Sequence, residues 1–523
     1  MFQTTSRIKA AALIKLLTFC LCFHVAVTKA RCESSPKYEM RGAWIATVYG
    51  IDWPSVKGSD EPTAMQQMAQ LNEMLVGLEQ AGINAVFFQV RPMADALYRS
   101  ELAPWSAHIS SRRGLAPAFD PLSFCVERCH ELGLECHAWL NPFRVGDKTA
   151  AAREDEKYKH LWMTHTVGRQ RMTILNPALD QTRLMLCDVC RELAENYDID
   201  GIVFDDYFYH PEFLPEDESA TDHKDYIASG TDLSFADWRR QNINQTIAEV
   251  YAALQQIKDG AVRFGVSPQG IAGGGGVHSD AGVSSLQSFG VTTADSQYSK
   301  IYADPVQWLR DGTVDYISPQ IYWPTTQKRH PYGGLAAWWY ATADMFGRHC
   351  FPSHTVAQFK DDNSENAWDE RIAQIEINRQ EAATSAAPGS VFYSASWIVG
   401  PRKSGFGNYL RDNIFVAKAL MPPMHWKKAD ETRTVSNLVY NDGILSWDQL
   451  PSARYVIYII PDDIPHDRCL SDSGKGLSAD YIAAVTYSNS YRLEPETLEN
   501  FLVAVTVYDR FGNEGSPIFY ERH

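Results

Sequence analysis

The chain is short of positive charge, of long apolar runs beyond its first thirty residues, and of clustered metal-binding motifs. Its 48 Lys and Arg face 64 Asp and Glu, a net charge of −16. A protein that neutralises phosphates carries the opposite balance, so a nucleic-acid partner is not expected and a neutral ligand suits better. After residue 30 no stretch approaches the roughly twenty apolar residues of a membrane helix. The ten cysteines are scattered. Cys125 and Cys129, and Cys187 and Cys190, sit in helix-like segments without the extra ligands a zinc site needs, and read as buried thiols. A disulfide would suit an oxidising compartment, but its pairing is not legible. No Gly-rich dinucleotide fingerprint follows the first strand-like segment. The four glycines 273–276 lead into His278-Ser-Asp rather than a helix start, so they read as a flexible active-site loop and not a phosphate cradle. Neither a cofactor nor a metal is expected.

What is present is apolar and aromatic. Hydrophobic residues make up 45% of 523, enough for a large core and more than one ordinary domain. Aromatics are 12%, with 14 Trp. Most of these serve core packing, but the apolar C–H face of a sugar also stacks on such rings. Arg7, Lys9 and Lys15 precede or punctuate an apolar run over 16–27, followed by Thr28-Lys29-Ala30. That is the pattern of a signal peptide over residues 1–30, with an uncleaved anchor as the alternative. Arg31 does not supply the small residue a lipid-attachment site at Cys32 wants. The expected location is the bacterial periplasm, the cell surface or the medium, with Cys20 and Cys22 lost on cleavage.

Short apolar, β-branched segments recur at 42–48, 85–90, 135–140, 201–204, 263–267, 315–322, 354–358 and 390–396. Helical periodicity intervenes at 64–80, 122–132, 182–197 and 238–257. Alternating strand and helix imply a parallel sheet, and eight units are the number that closes a (β/α)₈ TIM barrel. An open doubly wound sheet is the competing architecture. After about residue 425 the pattern switches to period-two alternation, at 435–440, 443–447, 455–459, 481–486 and 501–507. This predicts a small all-β sandwich over 425–523 behind a barrel over 38–424. Trp447, Tyr455 and the run Val505-Thr-Val-Tyr-Asp-Arg-Phe-Gly-Asn-Glu514 resemble a fibronectin type III domain, for which a spacer or docking role is expected.

Barrel chemistry sits at the C-terminal ends of the strands. Those ends supply Gln89 and Arg91, Asn141 and Arg144, Asp205, Asp206 and Tyr207, Ser267, Gln320, Tyr322 and Trp323, and Trp397. The set suits a hydroxyl-rich ligand, a glycan. Carboxylates are few in it. Asp205 and Asp206 follow Ile202-Val203-Phe204 directly, where the strand ends and both side chains can turn to one pocket. Two neighbouring carboxyls raise one another's pKa, which keeps a general acid protonated. Asp52, Asp95 or Asp295, on loops, are candidates for a distant second carboxylate.

Paired aspartates on strand four, a Tyr ending strand six and a Trp ending strand eight resemble chitinase-like and O-GlcNAcase-like barrels. That resemblance implies a substrate acetamido group as nucleophile. One Asp would then orient it, the other would protonate the leaving oxygen, and Tyr322 would steady the intermediate. Five segments together are more specific. They are Met40-Arg-Gly-Ala-Trp-Ile-Ala-Thr-Val48 with Ile51-Asp-Trp-Pro54, Phe88-Gln-Val-Arg-Pro-Met-Ala-Asp-Ala-Leu-Tyr98, His137-Ala-Trp-Leu-Asn-Pro-Phe-Arg144, Asp200-Gly-Ile-Val-Phe-Asp-Asp-Tyr-Phe-Tyr209 and Asp315-Tyr-Ile-Ser-Pro-Gln-Ile-Tyr-Trp-Pro324. They resemble the glycosyl-hydrolase-like family ten of bacterial barrel proteins over about residues 40–400, which implies a (β/α)₈ barrel and glycosidase activity. Gln269 stands where an aromatic residue is expected, so that subsite differs. Two other readings compete: a non-catalytic glycan-binding barrel, and a metal-dependent deacetylase or amidase using His137, His210 and the two aspartates.

Overall fold

The computed structural model describes residues 35–146, 157–167, 170–209, 214–272, 277–292, 297–357, 368–382, 387–400, 405–427, 433–464, 469–470 and 476–522. The signal-peptide segment, His210, the glycines 273–276, Asp295 and the end of the seventh predicted strand lie outside them.

The parallel strands are β1 (Met40–Ile45), β2 (Ala85–Arg91), β3 (Glu135–Leu140), β7 (Gly201–Phe204), β8 (Arg263–Val266), β9 (Tyr316–Ile317), β10 (His349–Cys350), β11 (Ser353–Thr355) and β12 (Gly389–Tyr393). They run in the order β10-β9-β8-β7-β3-β2-β1-β12-β11. β10 pairs with β9 and β11 with β12. Only Phe351 and Pro352 separate β10 from β11, and Ser353 donates back to Pro319. The two are therefore one interrupted strand that joins the edges, and eight strands close a ring. The seventh strand starts five residues before its predicted position. The sixth is regular only over two residues, because Pro319 has no N–H to give the ladder.

Inside the ring, alternate residues point inward: Met40, Trp44 and Ala46 on β1, Ala85 and Phe87 on β2, Trp139 on β3, Val203 on β7, Tyr316 on β9. Their neighbours Ala43, Ile45, Val86, Phe88, Ala138 and Ile202 face the helices. Large rings fit because glycines lie opposite. A Cβ at Gly265 would stand 2.1 Å from the Tyr316 ring, and one at Gly201 2.3 Å from His137 Nδ1.

The helices α1 (Glu61–Gln80), α2 (Pro121–Glu131), α3 (Asp180–Asn196), α4 (Phe235–Leu254), α5 (Pro305–Arg310), α6 (Tyr332–Met345) and α7 (Asp369–Glu381) surround the strands. Their starts are chemically marked. Asp60, Asp120, Ser234 and Asp304 accept main-chain N–H groups of the first turn, and Pro stands early in α1, α2 and α5. No described helix is long and apolar enough to cross a membrane. The sequence reading named neither α5, α6 and α7 nor a three-stranded antiparallel sheet of β4 (Arg144–Gly146), β5 (Trp162–Val167) and β6 (Gln170–Leu175) between β3 and α3.

Beyond residue 433, β13 (Val439–Asn441), β14 (Ile444–Ser446) and β17 (Ser490–Arg492) form one antiparallel sheet. β15 (Arg454–Pro461), β16 (Ile482–Thr486), β18 (Phe501–Tyr508) and β19 (Ile518–Phe519) form another. Leu445, Trp447, Tyr455, Ile457 and Val505 fill the core they share. The larger sheet closes the barrel's N-terminal end. There Glu135 pairs with Arg454, Arg510 reaches Asp200 at 2.9 Å, and Tyr487 donates to Asp200 at 3.0 Å. Tyr487 also stacks on His130 at 3.7 Å, and Trp426 donates to Asp315 at 2.9 Å.

Candidate active site

The inward alternation of β7 runs Gly201, Val203, Asp205. The chain then breaks out of the strand, and Asp206 follows. Asp205 is buried, while Asp206 and Tyr207 are partly open. Asp205 accepts the Trp139 indole N–H at 3.1 Å, the Gln320 amide at 3.2 Å and the Asp206 main-chain N–H at 2.8 Å. The two carboxyl side chains are in hydrogen-bonding contact with each other, and Gln269 and Gln320 bond Asp206. Burial and the Asp206 charge push the Asp205 carboxyl well above the usual carboxylate range, and burial raises Asp206 as well. The pair therefore titrates as a unit that retains a proton on the way to neutral pH.

The surrounding wall is aromatic. Trp44 packs on Trp139 at 4.8 Å between ring centres and donates to Ser353 Oγ at 2.8 Å. The Tyr322 hydroxyl lies 3.5 Å from the same oxygen. Burial first pushes both the Tyr322 and Tyr207 phenols above their ordinary value, followed by the two aspartates at Tyr207 and by Tyr393 and then the aspartates at Tyr322. The Arg144 guanidinium sits 4.8 Å from the centre of the Tyr207 ring.

The predicted residues divide accordingly. Asp205, Asp206, Tyr207, Arg144, Gln320 and Tyr322 come together. Gln89 and Asn141 line the ring beside them. Gln89 accepts from the main chain of Thr47 and Val48 and donates to Asn141 at 3.4 Å. Ser267 uses its hydroxyl on the Ser318 carbonyl. Trp323 packs against His330 at 4.6 Å, and the Trp397 main-chain N–H bonds the Ser394 carbonyl at 3.0 Å. Arg91 does not enter the site. The ladder slips between Gln89 and Arg91, pairing Arg91 with outward-facing Leu140. The guanidinium therefore lies among the helices against Met185. Trp139 and Gln269, both at predicted strand ends, belong to the wall as well, and so do Trp44, Ser353 and Tyr393, which the sequence reading did not single out. Period-two parity on the first strand would have found Trp44.

Of the loop carboxylates, Asp52 and Asp95 are occupied elsewhere. Asp52 accepts from Ala46 N, Ser394 Oγ and Ser396 N, at 2.8, 2.7 and 3.1 Å. Asp95 accepts Met93 N at 2.8 Å and faces Arg113 at 3.4 Å. The metal alternative loses its main ligand, because both His137 nitrogens are taken, by Tyr316 at 3.0 Å and Glu135 at 3.1 Å. A cavity of about 1260 Å³ lies at the opposite end, between the barrel floor and the C-terminal sheets. It is far from the aspartates, and several of its charges, Arg510 and Asp198 among them, already pair with each other.

Residues 39–347 match the family described as glycosyl hydrolase-like 10. The chain belongs to that family. Among curated relatives, the glycosyl hydrolase YngK of Bacillus subtilis is 31% identical over 397 residues, 74% of each chain. The glycosyl hydrolase DigH of Escherichia coli is 35% identical over 317 residues, 57% of this chain and 69% of that one. Among solved structures, the PgaB (BpsB) glycoside hydrolase domain of Bordetella bronchiseptica aligns at TM-score 0.47 and 12% identity, over 72% of this chain and 99% of that one. In this glycosyl hydrolase-like 10 protein the aspartate pair sits where barrel enzymes hold their reactive groups.

Proposed function

We propose that the protein is an exported glycoside hydrolase that cleaves an N-acetylhexosamine-containing glycan with help from the substrate's own acetamido group. One observation carries the mechanism: the Asp205 and Asp206 carboxyls touch. Two-carboxylate glycosidases hold theirs about 5–5.5 Å or about 6.5–9.5 Å apart, with the sugar between them. Carboxyls in contact cannot straddle an anomeric carbon, and Asp52 and Asp95 already have partners. The substrate's acetamido oxygen is then the nucleophile. Asp206, the more open of the pair, protonates the departing oxygen. The proton rests on the buried Asp205 before the substrate binds and passes to Asp206 across their contact as the acetamide N–H joins the Trp139 indole and the Gln320 amide on Asp205. The Tyr322 hydroxyl steadies the oxazolinium. Water opens this intermediate and returns the proton to Asp206.

The test is hydrolysis of N-acetylhexosaminides against the matching hexosides, with Asp206→Asn and Asp205→Asn. Loss of the general acid should lower kcat by about 10²–10⁴-fold. A competing reading, a glycan-binding barrel without turnover, draws on the shortage of free carboxylates. Glycan binding without product, unchanged in both variants, would establish it instead. On either reading, the segment from about residue 425, taken as a fibronectin type III-like module, takes no part in the chemistry.

A further inference from the structure

Arg91 is 2% exposed and has almost nothing to bond. Its Nη2 faces the Met185 sulfur at 3.9 Å, while Nε and Nη1 have no partner. The nearest acid, Asp95, is engaged by Arg113 and by the Met93 main chain. Asp95 offsets part of the Arg91 charge without bonding it, and a buried guanidinium with unbonded donors is unfavourable, so such groups are normally paired or ligated. Beside it is a cavity of about 40 Å³. Arg113 and Lys157 join Arg91 in its lining, with Trp162, Leu175 and Met185 among the apolar walls. Among the described residues that line it there is no carboxylate. One water needs about 10–15 Å³ by the same kind of measure, so the space holds about three waters, or a halide-sized ion with a water beside it, and not a sugar acid.

We propose that this cavity binds a single halide-class anion, with the Arg91 Nε–H and Nη1–H as its principal donors. Arg91 supplies the local positive charge, Arg113, already paired with Asp95, and the exposed Lys157 add a screened share, and Trp162, Leu175 and Met185 wall the space with apolar surface. Water alone could satisfy the two donors but not the charge. The ion would also brace the site from behind. The Arg91 carbonyl accepts the Asn141 N–H at 2.9 Å, and the Asn141 side chain accepts from Gln89, so the end of β2 is tied to the ring wall beside Asp205.

Crystals of the full chain grown in sodium bromide, measured at the bromine absorption edge, test this directly. An anomalous peak within hydrogen-bond reach of Arg91 Nε and Nη1 is expected. In parallel, melting is followed in chloride and in gluconate at equal ionic strength. Chloride should raise Tm, and the increment should vanish in Arg91→Met. Arg91→Lys, which keeps the charge but loses the fork, should bind chloride about tenfold more weakly or worse. If Arg91→Met does not fold, the bromide map of the unaltered protein decides alone. Bromide only on surface residues, an ordinary water at Arg91, or equal Tm in the two salts would overturn the assignment.

Discussion

The Asp205–Asp206 pair resists carrying two charges, and that resistance has a thermodynamic signature. In the unfolded chain each carboxyl ionises near pH 3.9. In the fold both hold their protons to higher pH, Asp205 most strongly, because burial and its neighbour oppose the charge. The pair's own contribution to stability is therefore greatest below about pH 4 and declines as pH rises from there through the raised folded values. Asp205→Asn removes that decline. The Tm difference between variant and parent should be small near pH 4 and grow in the variant's favour toward pH 8, while glycan turnover falls. A pH-independent difference would mean that the proton is not held as described. The pair itself was legible, since an apolar strand ending in two aspartates at the functional rim is a local pattern. The misplacement of Arg91 was not, because one slipped residue in the β2–β3 ladder inverts its direction and no composition signal marks the slip.

Among the elements, the strands with uninterrupted apolar runs were read almost to the residue: β3, β7, and β2 to within its last position. The sixth and seventh were blurred because prolines 319 and 352 break their ladders, and ring closure through an interrupted strand is a long-range property. The β5–β6 hairpin was missed because Trp162-Met-Thr-His165 alternates over too few residues to stand out. Barrel filling, by contrast, depends on glycine–aromatic pairs that sequence spacing does not reveal. Gly265→Ala puts a methyl group into the Tyr316 ring, which also bonds His137. This should destabilise by at least about 1–3 kcal/mol, measured by denaturant unfolding, because the packed interior has no room to shift. A neutral outcome would show that the ring can move aside.

For the whole molecule, the barrel's floor is an ionic joint. Burial opposes the charge on Glu135, but Arg263 and Arg454 outweigh it and hold the carboxyl down at about 2. Asp200 is likewise held below the usual range, as burial is overcome by His130 and Arg510. These groups stabilise the fold fully above about pH 4.3, and the contribution is lost as pH falls toward 2. Arg454→Met breaks a buried pair and should cost about 3–5 kcal/mol, nearer the lower figure because Arg263 and His137 remain beside Glu135. The deficit should be largest at neutral pH and narrow toward pH 2, as followed by calorimetry. A deficit that stays constant with pH would separate the joint from Glu135. The β character of the C-terminal fifth was visible in its alternation. Its docking under the barrel was not, because the contacts join residues hundreds of positions apart.

That floor also imposes an order of assembly. Glu135 and Asp200 lie in the first half of the chain, yet part of their counter-charge comes from Arg454 and Arg510, with a further bond from Tyr487. A ribosome must finish more than three hundred further residues before Arg454 can join Arg263 at the third strand's first acid. Until then the nascent barrel is left with an open, charged base, and its last gain in cohesion arrives only when synthesis has passed Arg510.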